Sequence, residues 1–172
     1  MSKLIRFTKG AAAFAEDNFT AVADDAVLPP VDASGGGAIV SLARFQKERE
    51  SLLERNAPLG VRLQSSESPE LLGEDVNRLS LVVLEFPKFR DGRAFSWARM
   101  LRTRLGFTGE IRAVGDFLYD QVNYQHRVGF DAWDVPDHFT LAQFTSALAE
   151  MTDVYQTSSD GKKTIRELRA SR

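Results

Sequence analysis

The stretch LVVLEF, Leu81 to Phe86, runs into PKFRDGRAFSWARMLRTRLGF, Pro87 to Phe107, and then into TGEIRAVG, Thr108 to Gly115. An apolar run of this length, rich in β-branched residues, has the pattern of a strand covered on both faces. Ala94, Trp97, Ala98, Leu101 and Leu105 then recur at helical spacing, with Arg99 and Arg102 assigned to the outer face. Gly106 followed by Phe107 is a helix stop, because glycine accepts the left-handed conformation and the next apolar residue packs back. Glu110 to Gly115 resumes as strand. Strand, helix and strand in this order make one βα unit of a parallel sheet.

The same rhythm extends in both directions. Candidate strands are Ala38 to Leu42, Gly60 to Leu63, Leu81 to Phe86, Glu110 to Gly115 and Ala132 to Val135. Ser68-Pro69 opens a helix carrying Leu71, Leu72, Val76 and Leu79, since serine caps and proline suits the first helical turn. Asp116 is the expected cap of a helix ending at Gly129-Phe130, and Thr140 with Gln143 the capping box of one burying Leu141, Phe144, Leu148 and Met151. The expected fold is α/β, with about five parallel strands alternating with helices, as a doubly wound sheet or an incomplete (β/α) barrel with an N-terminal arm. A full eight-unit barrel typically needs about 250 residues, and the chain has 172. Residues 1–37 are assigned to the arm, with one or two short strands expected in DNFTAVADDAVLPP, residues 17–30, and a flexible glycine joint at 35–37. Residues 38–157 form a single α/β domain. Residues 158–172 make a basic tail, expected to be mobile, with helix over Lys163 to Leu168.

Composition removes several function classes. The chain has no cysteine, which excludes disulfides, thiolate-bound zinc, cysteine-ligated clusters and a cysteine nucleophile. Lys plus Arg is 22 against 24 Asp plus Glu, a net charge of −2. No field strong enough to gather nucleic acid follows from that balance. The apolar run Ala11 to Ala15 is too short for a secretory leader, and the most hydrophobic stretch, Leu79 to Phe86, is broken by Ser80 and Glu85 and falls far below the length of a membrane span. A cytoplasmic location without membrane contact is expected. Neither GxGxxG nor GxxxxGK[ST] occurs, so no cofactor is assigned. Asp131, Asp134, Asp137 and His138 do not have the spacing of a calcium loop, and no metal is assigned either.

Ligands of parallel sheets sit beyond the carboxyl ends of the strands. The loop after the third strand places Lys88, Arg90, Asp91 and Arg93 at a helix N-terminus, where free N–H groups and cations favour an anion. Lys88, Arg90, Arg93 and Arg112 are the candidate anion-binding residues, against the alternative of an exposed turn with local ion pairs. Glu85, Asp91, Asp116, Asp120 and Gln121 are candidates for acid/base chemistry or ligand orientation. Glu85 interrupts an apolar strand and needs a partner, for which Arg112 on the next strand is the candidate. Phe86, Phe89, Tyr119, Tyr124 and Trp133 are aromatic candidates for a cleft, with core packing as the alternative.

The stretch from LVVLEF to VGFDAW, with FPKFRDGR and RAVGD as its most specific pieces and APLGVRL before it, resembles a bacterial family of unknown function, DUF934. Its genes lie beside those for assimilatory sulfite reductase, and members carry the label of oxidoreductases of sulfite reduction. The resemblance implies a place in sulfur assimilation and no catalytic residue. It makes sulfite, sulfate or adenylyl sulfate the anions for the basic cluster. Three functions are open on this basis. One is an accessory protein that binds sulfite reductase or its electron donor. The second is a small enzyme acting on an anionic substrate with a flavin or nicotinamide taken from solution. The third is a non-catalytic domain that forms a homodimer through its sheet edge.

Overall fold

In the computed structural model, which describes residues 3–31, 36–151 and 153–171, the five expected strands form nearly where the apolar runs put them. They are β4 (Gly37–Ser41), β5 (Leu59–Leu63), β6 (Leu81–Phe86), β7 (Glu110–Gly115) and β8 (Ala132–Val135). Three more come from the stretch assigned to an arm: β1 (Lys3–Thr8), β2 (Ala11–Ala15) and β3 (Phe19–Ala21). All eight belong to one sheet of order β2-β1-β8-β7-β6-β5-β4-β3. Strands β3 to β8 pair in parallel, while β1 pairs antiparallel with both β8 and β2. The sheet is therefore mixed, and the N-terminal stretch covers the edges that five strands alone leave open. Of the glycine joint, Gly35 lies outside the described residues and Gly37 opens β4.

The strand order never reverses, so successive right-handed crossovers fall on the same face of the sheet. A doubly wound sheet reverses at a switch point, and that alternative is set aside. Chain reach then imposes curvature. Strands β2 and β3 are the two edges of the sheet, yet only Glu16, Asp17 and Asn18 join them. Four Cα steps reach at most about 14 Å, whereas the edges of a flat eight-stranded sheet stand about 34 Å apart at about 4.8 Å per strand. The sheet must curl until its edges nearly meet.

Strand alternation sorts the side chains between outside and inside. Outward go Val61 and Leu63, Val82, Leu84 and Phe86, Ile111 and Ala113, and Trp133, all in the main core. The helices on that side are α1 (Leu42–Lys47), α2 (Arg49–Glu54), α3 (Arg93–Thr103), α4 (Tyr119–Val128) and α5 (Leu141–Ala149). Inward, Ile39, Leu81 and Val83 pack with Phe19 and Val114 as a second, smaller cluster. Below it, at the amino end of the parallel strands, Arg112 bonds Asp17 and Glu110, and Arg6 bonds Glu110. An ionic plug thus closes one end of the curled sheet.

Several local expectations are corrected. Pro69–Arg78 is a 3-10 segment interrupted at Gly73, whose φ of 67° breaks helical geometry. Helix α4 is capped at Leu118 by the Gln121 side chain, and not by Asp116. Met151 is 58% exposed and Arg102 turns inward, to carbonyls beneath α3. The two glycine stops hold: Gly106 and Gly129 have positive φ, and the N–H groups of Phe107 and Phe130 reach back to Leu101 and Gln125. After residue 157 the tail carries α6 (Ile165–Ala170), opened by the Thr164–Glu167 capping box, and Asp160 pairs with Arg127.

Gly115 ends β7 with φ 101°, and a Cβ there would overlap the carbonyl oxygen of Phe86. That same oxygen accepts the Asp116 N–H at 2.7 Å. Gly115→Ala is expected to lose about 1–3 kcal/mol from the strained φ alone, and more from the clash. Urea denaturation measures it, and an unchanged midpoint would mean that this junction is not rigid.

Candidate functional site

The loop between β6 and α3 is organised by its own charged groups. Asp91 accepts the Arg93 backbone N–H at 3.2 Å, and the Arg93 guanidinium returns to the same carboxylate at 2.9 and 2.6 Å. Arg93 also donates to Ser65 at 2.8 Å, which ties the segment after β5 to the start of α3. The Arg93 guanidinium holds the Asp91 carboxyl well below the usual carboxylate range, with the backbone N–H and the Ser65 hydroxyl adding to the effect. Asp91 in turn raises the affinity of Arg93 for its proton. A general base works best with a pKa near the operating pH, so this pair is suited to clamping and not to proton transfer.

The next loop braces the first. Asp116 accepts the Phe89 N–H at 3.4 Å, and Gln121 donates to the Phe89 carbonyl at 2.8 Å while its own carbonyl accepts the Leu118 N–H. Both backbone groups of Phe89 are thereby fixed by the β7–α4 segment. Its side chain remains 40% exposed, and the Arg90 guanidinium lies 5.4 Å over the ring. Lys88 and Arg90 are exposed beside it. Leu118 and Tyr124 are exposed large apolar groups on the neighbouring helix start and body. Asp120 is exposed in the first turn of α4.

The four basic candidates do not converge. Arg93 is held by Asp91, Lys88 and Arg90 form an outward tip, and Arg112 lies at the other end of the curled sheet. Only 2% of Arg112 is exposed, and Asp17 and Glu110 occupy its guanidinium. Arg112 therefore does not pair with Glu85, although both point inward. The partner of Glu85 is Arg62 on β5, at 3.2 Å. Among the aromatic candidates, Phe86 and Trp133 are fully buried core, and Tyr119 stacks on Phe139.

Above the inner apolar cluster lies a cavity of about 470 Å³, lined among others by Ala21, Ile39, Ser41, Arg62, Gln64 and Glu85. It sits at the carboxyl ends of β4, β5 and β6, where parallel sheets bind ligands. Sequence reasoning reached Glu85 alone. The missing signal was the alternation in Gly60-Val61-Arg62-Leu63-Gln64, which places Arg62 and Gln64 opposite Val61 and Leu63. Their meeting with residues of the arm follows only from the curl.

The family model described as "Bacterial protein of unknown function (DUF934)" matches residues 60–166. The chain belongs to this family. The matched span of this DUF934 chain contains Arg62, Glu85 and the whole bracing arrangement from Lys88 to Gln121, while Ser41, beside Arg62 on the adjacent strand of the cavity wall, precedes it. No curated protein and no solved structure matches the chain. Among the described residues, no helix is long and apolar enough to cross a membrane.

Proposed function

We propose that this protein is an accessory factor of assimilatory sulfate and sulfite reduction that binds sulfite reductase or its electron-donor protein through the tip Lys88-Phe89-Arg90. The pathway comes from the gene neighbourhood of the family that the chain resembles. One observation carries the docking role: Asp91, Arg93, Asp116 and Gln121 are engaged in bracing the two loops, Arg93 also reaching Ser65, and what they hold outward is an exposed phenylalanine between two cations. A rigid aromatic anchor flanked by charge is the composition of a binding hot spot. The complementary face is acidic with an apolar seat, and long-range attraction makes its association salt-dependent.

Co-purification from a lysate of a sulfate-grown bacterium tests the reading. Tagged wild-type protein is expected to retain the reductase or its donor at low salt, with capture reduced about tenfold or more by Phe89→Ser combined with Arg90→Glu. Both side chains are exposed, so the melting temperature of the variant should be unchanged. Retention of neither protein, or equal retention by the variant, would overturn the proposal.

A further inference from the structure

Several arginines of this molecule have guanidinium groups filled by two or more hydrogen bonds to the protein. Arg112 meets Asp17 through two bonds, Arg93 meets Asp91 through two, and Arg102 meets Asp131 while also filling three carbonyls. Arg62 and Glu85 differ. They touch at a single Nη2 to Oε2 contact of 3.2 Å, and their side chains are 48% and 27% exposed. Both line the cavity at the mouth of the curled sheet. The remaining donors of Arg62 and the second oxygen of Glu85 are thus unsaturated by protein and lie at a concave site.

We infer that this cavity binds a small zwitterion of the α-amino-acid class, its carboxylate on Arg62 and its ammonium on Glu85. The charge arrangement selects the class. A lone anion would draw Arg62 away from Glu85 and meet a neighbouring carboxylate, and a lone cation would meet the guanidinium in the same way. A ligand carrying both charges on one carbon gives each protein group a new partner of opposite sign. Charge-assisted hydrogen bonds of this kind are the stronger ones. The Gln64 amide adds polar reach at the rim, and Ala21 with Ile39 forms an apolar wall for the ligand side chain. A volume of about 470 Å³ lies within the range of about 300–1,000 Å³ of small-molecule sites. This inference is independent of the docking tip, which lies on the outer loops.

The test is a thermal-shift screen of the full-length protein with the twenty L-α-amino acids, followed by calorimetry on those that raise the melting temperature. At least one is expected to bind, and affinity is expected to fall about tenfold or more in Arg62→Met and in Glu85→Gln. Acetate and methylammonium, each carrying one of the two charges, are expected to bind more weakly than the amino acid by a similar factor. Both substituted positions are partly exposed, so unchanged melting of the ligand-free variants separates loss of binding from loss of fold. A screen with no binder, or binding insensitive to both substitutions, overturns the inference. So does acetate or methylammonium binding as tightly as the amino acid.

Discussion

Arg112→Ala is expected to lower the unfolding free energy by about 3–5 kcal/mol, the usual result of removing one partner from a buried ionic network. That is a large share of the about 5–15 kcal/mol of a typical domain. The guanidinium is 3% exposed at the side chain and bonds Asp17 at 2.8 and 3.1 Å and Glu110 at 3.0 and 2.9 Å. It also lies 5.8 Å over the Phe19 ring. Truncation leaves two carboxylates facing each other with Arg6, at 2.6 Å from Glu110, as their one ion-pair partner among the described residues. The effect reaches beyond charge. Asp17 sits in the three-residue link between the two edge strands and accepts the Phe19 N–H at 3.0 Å. Loss of Arg112 should therefore loosen the closure of the sheet, seen as faster hydrogen exchange at Glu16 to Ala21 than elsewhere. Arg112→Lys should fall between the two, since an ammonium keeps the charge and loses the forked geometry. A denaturation midpoint for Arg112→Ala matching the wild type would contradict the plug.

Arg102→Ala is expected to cost about 3–5 kcal/mol as well, at the same amino end of the strands but through the helix-covered outer side of the sheet. From α3 the guanidinium donates to the carbonyls of Phe107 at 2.7 Å, Gly109 at 2.8 Å and Gly129 at 3.0 and 3.1 Å, and to the carboxylate of Asp131. It fastens the turns that precede β7 and β8. Asp131 gives the variant a pH signature. Burial pushes its carboxyl upward, and Arg102 is the foremost group opposing that shift. Without Arg102 the shift grows, and a carboxyl raised in the folded state favours folding when protonated and opposes it once ionised. The deficit relative to wild type should therefore be largest at neutral pH and shrink as pH falls through the carboxylate range. Asp131→Asn on the Arg102→Ala background should recover part of the loss at pH 7, measured by urea denaturation. A deficit independent of pH and unrelieved by Asp131→Asn would show that the carbonyl contacts alone matter.

Those two arginines also show how far the sequence reveals the fold. Strands β6, β7 and β8 and both glycine stops were legible because apolar runs and αL glycines are local signals. Helical spacing likewise put Arg102 on the side of α3 away from its apolar stripe. A long side chain can lie along an apolar surface and place its head among backbone carbonyls, and no periodicity records that. The arm became three strands because β1 pairs with β8 and β3 with β4, and pairing to β1 overrides the weak strand tendency of the alanine-rich AAAFA of β2. Glu85 stood out as a carboxylate in an apolar strand, while its partner depended on Asp17 and Glu110 already occupying one of the two inward-facing arginines beside it. Arg62 on β5 and Arg112 on β7 flank β6, the strand of Glu85, equally well in one dimension. The basic loop was legible as a cluster, but its division into a clamp, Arg93 with Asp91, and a tip, Lys88 with Arg90, depends on side-chain geometry.

Growth on sulfate as sole sulfur source is the most direct measurement of the proposed role. A strain lacking this gene is predicted to fail on sulfate and to grow on cysteine. The wild-type gene should restore growth on sulfate, and the Phe89→Ser, Arg90→Glu form should not, despite folding normally. Unimpaired growth of the deletion strain on sulfate, or full rescue by the tip variant, would contradict the account.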